Sequence, residues 1–504
     1  MDFKKLKSGS DVRGVAMGDN TVLTPETAET LGRAFVAFLA QRLLKKPEQL
    51  TIAVGRDSRL SGPQLLQGVV KGITSTGATA ADYEMCTTPA MYMAILTEGF
   101  QPDASIMITA SHHPWYLNGL KFFTKEGGLG FHELDKVLEI AQNLSPVETS
   151  GQTGKVLHTP FLLTYQKHLQ DLIIEGVDPE VQKPLLGLHV VVDAGNGAGG
   201  FYANMLEELG AWVEGSQFLE PDGHFPNHIP NPENAEAMAS VSNAVLKVGA
   251  DLGVIFDADC DRAAIVDHTG REINRNRLIA MISAILLDEM PGATIVTDSV
   301  TSSGLADFIQ EWGGVHYRYK RGYRNVIDEA VRLNEAGVNC PLAIETSGHA
   351  ALRSNHFLDD GMYLVTVLLI KAMQLKQQGE DLSKLLDGLK EPVESREIRL
   401  NVVAEDFAPA ARQLIERLME YATEHEEWHI APDNREGVRI SFDIDNQLNA
   451  AWFLLRLSVH DPVMPLNAES DVPGGVRYVL GKLYEAIQGE TDVVDLSPLR
   501  TALQ

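Results

Sequence analysis

Residues 188–209 read LHVVVDAGNGAGGFYANMLEEL. Leu188 to Asp193 is an apolar run suited to a buried strand. A turn of small residues follows, and Phe201 to Leu209 then reads as a helix. Strand, tight turn and helix in this order form one α/β unit. The same alternation extends outward in both directions. Thr51 to Gly55 (TIAVG) reads as a strand, and Gly62 to Thr76 as a helix with Leu65, Leu66, Val69, Val70 and Ile73 on one face. Ala104 to Ile108, 251–256 (DLGVIF) and 294–298 (TIVTD) are further short apolar runs. After Glu391–Pro392 the pattern changes. ESREIRLNVV, a helix from Phe407 to His425, GVRISFDI and AAWFLLRLSV predict an α+β tail with an antiparallel sheet. Polar or Gly/Pro-rich breaks lie at 146–155, near His268–Thr269–Gly270 and at 376–392. The expected fold is thus α/β with four domains: 1–155, 156–268 and 269–391 with mixed, mainly parallel sheets, and 392–504 as α+β.

The 504 residues carry 42 Lys plus Arg against 69 Asp plus Glu, a net charge of −27. This balance excludes nucleic-acid binding through phosphate contacts, which needs a basic surface, and docking on anionic lipid. A small anion can still be held where a few Arg and Lys converge. Apolar residues make up 44% and charged residues 22%, which is globular composition. Cys86, Cys260 and Cys340 are scattered and show no metal-ligand spacing, which fits a reducing compartment. The basic start MDFKKLKSGS lacks an apolar stretch behind it, and the most apolar windows, such as Leu278 to Leu287, fall well short of the roughly 20 residues of a membrane span. The expectation is a soluble cytoplasmic protein.

Four loops carry residues suited to chemistry. Thr109–Ala110–Ser111–His112–His113–Pro114 follows a strand and is followed by Asn118–Gly119–Leu120–Lys121, so Ser111 lies where α/β folds place ligands. It is a candidate nucleophile or phosphoacceptor; a capping Ser beside surface histidines is the plainer reading. Asp257–Ala258–Asp259–Cys260–Asp261–Arg262 sets three carboxylates at alternate positions, which can converge on one hard cation. An EF-hand needs Gly and Glu where Arg262 and His268 stand. A dehalogenase-type phosphohydrolase prefers Thr or Val at Asp261. A solvated acidic turn would leave like charges repelling. A Mg²⁺ site with Arg262 beside it for phosphate is the third reading, with the dehalogenase-type loop and the acidic turn still open beside it. Gly195 to Gly200 matches the dinucleotide pattern G-x-G-x-x-G, with Glu214 and Glu220 at ribose distance, or is simply a tight turn. Glu345–Thr346–Ser347–Gly348–His349 offers carboxylate, hydroxyl and imidazole to sugar hydroxyls, or caps a helix.

Together these loops resemble the α-D-phosphohexomutases, the phosphoglucomutases and phosphomannomutases, over nearly the whole chain. Residues 109–114 are similar to the phosphoserine loop T-A-S-H-N-P, and Lys121 to the Lys of N-G-x-K. Residues 257–262 resemble the metal loop D-G-D-x-D-R, and 345–349 the sugar loop G-E-x-S-G-H. Ser10 to Gly14 and Gly55 to Arg59 resemble the family's D-I-R-G and G-R-D-x-R segments, and Gly195 its D-x-G-N-G turn. The resemblance implies four domains around a central cleft, a phosphorylated Ser111 and Mg²⁺ held by Ser111, Asp257, Asp259 and Asp261. It implies catalytic roles for Arg13, His112 and Lys121. Arg262, Lys320, Glu345, Ser347, His349, Arg439, Arg456 and Ser458 would bind a hexose phosphate and the hexose bisphosphate formed from it.

The sequence also departs from the family pattern. His113 replaces Asn, Ile344 replaces Gly, Tyr323 replaces the His of K-T-G-H, and 298–301 lacks a Lys that relatives often carry. The C-terminal phosphate loop keeps Arg456, Ser458 and Pro462 but loses its Thr and gains Asp461, with His460 alongside. A phosphosugar-binding relative with little mutase activity and a phosphoglucosamine mutase stay open beside the glucose or mannose mutase.

Overall fold

The computed structural model describes residues 2–144, 153–458 and 462–504. The predicted break at 146–155 falls largely outside them, and His460 and Asp461 fall wholly outside. The chain forms two compact units, one of residues 1–278 with 347–385 and the other of 279–346 with 386–504.

The first unit contains two sheets. The larger places Thr51–Arg56 between Thr79–Met85 and Ala104–Ile108, all parallel, with Val156–His158 parallel at the far edge. On the other side Leu117–Thr124 pairs antiparallel with both Ala104–Ile108 and Asp11–Val15. The smaller sheet pairs Leu252–Phe256 parallel with Val190–Asp193 and antiparallel with Ala263–Asp267. These antiparallel returns exceed what strand–helix alternation suggests, for a topological reason. The Ser111 loop and the triple-aspartate loop are short connections, and only an antiparallel partner can be reached without a dozen-residue crossover. Both loops therefore sit at the carboxyl end of a central strand, pinned on both sides by sheet hydrogen bonds. The helix Gly62–Ser75 buries Leu65, Leu66, Val69 and Ile73 and leaves Val70 half-buried. It lies directly on the helix Pro25–Leu43: a Cβ at Gly72 would stand 2.1 Å from the Glu29 carbonyl oxygen, so only glycine permits this approach.

The chain re-enters the first unit at Ser347 as the hairpin Ala350–Leu352 with Leu358–Asp359, then the helix Gly361–Gln377. In the second unit Thr294–Thr297 lies between the parallel strands Val315–Arg318 and Leu342–Ile344. Its C-terminal part is a five-stranded antiparallel sheet, Glu394–Asn401, Val463–Ser470, Gln447–Leu455, Val438–Ile444 and His429–Ile430. The helices Phe407–Thr423 and Gly475–Ile487 pack on one face through Leu414, Leu418, Val479 and Leu483. The architecture is thus the expected three α/β domains followed by an α+β domain. Among the described residues no helix is long and apolar enough to cross a membrane.

Candidate active site

Ser111 is 3% exposed and has φ +50°, a left-handed backbone that an L-residue adopts only when its surroundings enforce it. Two side chains outside the loop supply the enforcement. Asp57 accepts a hydrogen bond from Thr109 Oγ1 at 2.7 Å, and Thr109 Oγ1 in turn accepts from the Ser111 N–H at 2.9 Å. Arg59, fully buried, pairs through Nε with Asp57 at 3.1 Å. Its Nη1 donates to the Pro114 and Leu117 carbonyls at 2.8 and 3.0 Å. Its Nη2 donates to the carbonyls of Ser111 and of His113, the latter at 2.7 Å. One guanidinium thus organises the whole loop, as only a planar five-donor fork can. Arg59→Met strands the Asp57 charge and four carbonyls, and is expected to lower unfolding free energy by about 3–5 kcal/mol, read from the urea midpoint. The motif Gly55 to Arg59 was visible in the sequence; that its Asp and Arg grip the Ser111 loop was not.

The triple-aspartate loop meets Ser111 directly. Ser111 Oγ donates to Asp257 Oδ2 at 2.9 Å and accepts from Arg262 Nη2 at 2.7 Å. Arg262 also donates through Nε to Asp257 Oδ2 at 3.1 Å. Lys121 Nζ is paired with Asp261 and lies 3.4 Å from Asp259 Oδ2. Thr88, at the start of the helix Thr88–Leu96, donates Oγ1–H to Asp259 Oδ2 at 2.5 Å; no sequence signal pointed to it. One oxygen each from Asp257, Asp259 and Asp261 lies within 4.8 Å of the others. Asp259 Oδ1 and Asp261 Oδ1 are buried without a hydrogen-bond donor among the described residues. Burial, and then the charges of Asp261 and Asp259, push the Asp257 carboxyl well above its ordinary range. Burial also opposes Asp261, but Lys121, His349 and Arg262 outweigh it and hold that carboxyl low. Buried carboxylate oxygens that lack donors, and whose charges repel one another, are what a divalent cation resolves. The residues fit a hard metal ion.

The glycine-rich turn has its explanation here. A Cβ on Gly197 would stand 2.7 Å from the Ala258 backbone, and the Ala198 N–H donates to the Ala258 carbonyl at 2.9 Å. The turn is small because the aspartate loop lies on it. Protein backbone covers the face a dinucleotide would need.

His112 Nδ1 lies 3.3 Å from Ser111 Oγ and also contacts Arg262 Nη2. Burial, then the Arg262 charge, hold its pKa far below the ordinary value, so the ring is neutral. It stacks on His113 with ring centroids 4.6 Å apart, and His113 contacts Arg13. His349 joins the first unit's cluster: Nδ1 is 2.5 Å from Asp359 Oδ2 and 3.9 Å from Asp261 Oδ1. Burial opposes its charge, but Asp359 and Asp261 outweigh burial and push the imidazole up to about 9. Ser347 lies in this same unit and is buried.

The remaining expected residues lie in the second unit. Glu345 is buried and accepts from the Gly322 N–H at 2.5 Å. Lys320 is exposed, its ammonium 6.0 Å from the Tyr319 ring centre. Arg456 is 8% exposed, with Nε unpartnered among the described residues. Ser458 is half-buried, its N–H donating to the Val463 carbonyl at 2.9 Å. Arg439, expected as a phosphate donor, keeps Nη2 without a hydrogen-bond partner among the described residues. It is buried, its Nη1 donates to the Ser299 and Thr301 carbonyls at 3.1 and 3.0 Å, and its guanidinium lies 3.5 Å from the Trp452 ring centre. Its position two residues from Ser441, the cross-strand partner of Trp452, turns it onto that packed face.

The chain is similar to known proteins over nearly its whole length. Residues 4–146, 164–270 and 274–392 match the phosphoglucomutase/phosphomannomutase alpha/beta/alpha domains I, II and III respectively. A phosphomannomutase/phosphoglucomutase of Pseudomonas syringae pv. tomato is 30% identical over 489 residues, covering 96% of each chain. Its namesake in Pseudomonas aeruginosa is 31% identical over 464 residues, covering 92% of this chain and 90% of that one. The crystal structure of a phosphoglucomutase/phosphomannomutase family protein from Burkholderia thailandensis superposes with a TM-score of 0.79 at 26% identity, covering 97% of this chain and 98% of that one. With three consecutive domains matched and relatives aligned nearly end to end, the chain belongs to the phosphoglucomutase/phosphomannomutase family, the α-D-phosphohexomutases, which are isomerases that transfer a phosphoryl group intramolecularly.

Proposed function

We propose that this isomerase interconverts hexose 1-phosphate and hexose 6-phosphate, of glucose and/or mannose, through a phosphoserine at Ser111 and a bound hexose bisphosphate. The observation that carries this reading is the position of Ser111 Oγ, held between the Asp257 carboxylate and the Arg262 guanidinium beside the donor-starved carboxylates of Asp259 and Asp261. Phosphoryl leaves Ser111 Oγ for a sugar hydroxyl, whose proton is given up to a neighbouring base. The bisphosphate then turns over in place, and the phosphate it first carried passes back to Ser111 Oγ. Atoms balance: one phosphoryl enters the sugar and one returns. Asp257, Asp259, Asp261 and phosphorylated Ser111 would hold Mg²⁺, which when bound supplies positive charge against the negative charge developing in transfer. Arg262 steadies the serine oxygen. His112 is neutral and positioned to accept a proton; a phosphate dianion on Ser111 moves its pKa upward. Lys121 and Arg13 add positive charge from the same side of the loop.

In the second unit Glu345 supplies an acceptor for sugar hydroxyls, and Arg456 with Ser458 holds the non-reacting phosphate; Lys320 adds charge at the rim. Ser347 and His349, in the first unit, offer a hydroxyl and an imidazole to sugar hydroxyls. Arg439 is read as a residue that fixes the 299–301 loop. Domain limits at residues 155, 268 and 391, and a cytoplasmic location, belong to the same proposal. They are supported by the polar breaks in the sequence and by three cysteines that are all free and buried.

Arg456→Ala tests the phosphate assignment. Loss of a charge-assisted pair worth about 1.5–3 kcal/mol is expected to raise KM for the sugar phosphate by about ten- to a hundredfold. Tyr323 and the altered loop after Arg456 favour a second reading, a sugar-phosphate-binding relative with little turnover. An unchanged KM in Arg456→Ala selects that reading.

A further inference from the structure

The second unit contains a corner built for an anion, and a carboxylate of the chain itself already sits in it. The residues leading into the helix Tyr323–Glu335 present two successive backbone N–H groups, those of Arg321 and of the N-cap Gly322. The Gly322 N–H donates to Glu345 Oε1 at 2.5 Å, and the Arg321 N–H donates to Glu436 Oε2 at 3.1 Å. Glu436 Oε2 also accepts from Ser299 Oγ at 2.5 Å. Consecutive N–H groups at a helix start, joined by a hydroxyl, are a common cradle for phosphate oxygens. A buried guanidinium borders the corner as well. Arg456 is more than nine-tenths buried and its Nε is without a partner among the described residues. Burial opposes its charge, while Glu436 and Asp298 sustain it. Arg321 Nε lies 3.9 Å from Asp298 Oδ2, and Asp298 Oδ1 is buried without a donor. Two guanidiniums, Arg456 and Arg321, face the carboxylates of Glu436, Asp298 and Glu345, so what the corner holds in reserve is donor capacity: the Arg456 Nε that Glu436 leaves unused.

We propose that Glu436 occupies the seat of the sugar's non-reacting phosphate, so that substrate binding in this unit is an exchange of one anion for another. Glu436 keeps the buried Arg456 compensated while no ligand is present. An incoming phosphate brings more charge and more acceptor oxygens, takes the Ser299 hydroxyl and the Arg321 N–H, and sends the carboxylate to solvent. A ligand carrying only a carboxylate offers nothing Glu436 does not already provide. The exchange therefore favours phosphate esters over other anions. The inference rests on the reading of Arg456 as the phosphate donor.

Calorimetric titration of glucose 1-phosphate into the Ser111→Ala chain, where no turnover depletes the ligand, separates the two claims. Glu436→Gln keeps the side-chain shape and one acceptor but removes the charge. It is expected to tighten binding about tenfold, because the ligand no longer displaces a charge-assisted pair. Glu436→Ala is expected to tighten it at least as much, and circular dichroism of both variants guards against misfolding. Arg456→Ala is expected to weaken binding. If Arg456→Ala weakens binding but neither Glu436 variant tightens it, the exchange is overturned and the phosphate seat stands. If Arg456→Ala leaves affinity unchanged, the phosphate seat itself is wrong and the exchange falls with it.

Discussion

Ser111→Ala is expected to lower mutase turnover by about three to six orders of magnitude, the range seen when the residue bearing a covalent intermediate is removed. The reason is local. Ser111 Oγ is the only atom of its side chain able to carry phosphoryl, and it is already aligned by Asp257 and Arg262. Stability should hardly move, since the loop is fixed by Arg59, Asp57 and Thr109 through the backbone of residue 111 and its neighbours rather than through the hydroxyl. Ser111→Gly is the useful companion. Glycine adopts φ +50° without cost, so the glycine chain should be at least as stable as the alanine chain and equally inactive. Steady-state assays and urea unfolding of both variants check this. Retention of wild-type rates in either would show that the hydroxyl is not the phosphoryl carrier.

The second large effect is expected at Asp259. Of the three aspartates it is the cleanest to change. Asp261→Asn would remove the nearer carboxylate from buried Lys121, and Asp257→Asn the nearer one from buried Arg262, so both confound folding with metal binding. Asp259→Asn keeps an oxygen for Thr88 and removes one charge from the cluster. Metal affinity is expected to fall by about two orders of magnitude, given how strongly oxygen sites depend on ligand charge. Turnover at low Mg²⁺ should fall with it and recover at high Mg²⁺. In the wild-type chain chelation should abolish turnover. Mg²⁺ at about 100 times its Kd should add about 2.7 kcal/mol of stability, a gain that Asp259→Asn loses at the same concentration. Activity that survives exhaustive chelation would leave the three aspartates as an acidic turn and nothing more.

Much of this site is legible in the sequence because chemistry dictates its residue types locally. Three carboxylates at alternate positions after a strand, and a serine at another strand's end, define their loops without reference to anything distant. The glycine turn at 195–200 was legible as a turn but not as a floor, because its reason is the Ala258 backbone, 60 residues away and invisible to local pattern. Arg59 escaped for the same cause: a fully buried arginine looks like any other until the fold brings four carbonyls to it. The surroundings of Arg439 were not legible, because GVR at a strand start does not reveal which face of the sheet the side chain takes, and Trp452 lies on that face from the next strand. Strand–helix alternation likewise conveys α/β layering but not the antiparallel returns, which follow from the shortness of the loops that carry the chemistry. Thr88, Asp359 and Glu436 carry no sequence signal at all; each matters only through the residue it meets.

The central claim is that phosphoryl resides on Ser111 during turnover. The most direct measurement is the intact mass of the purified chain after incubation with glucose 1,6-bisphosphate and Mg²⁺, followed by mapping of the modified peptide. An increment of about 80 Da, one phosphoryl group, is expected on Ser111, and it is expected to be lost in Ser111→Ala. An active chain that carries no increment, or an increment mapped to Asp257, would contradict the central claim.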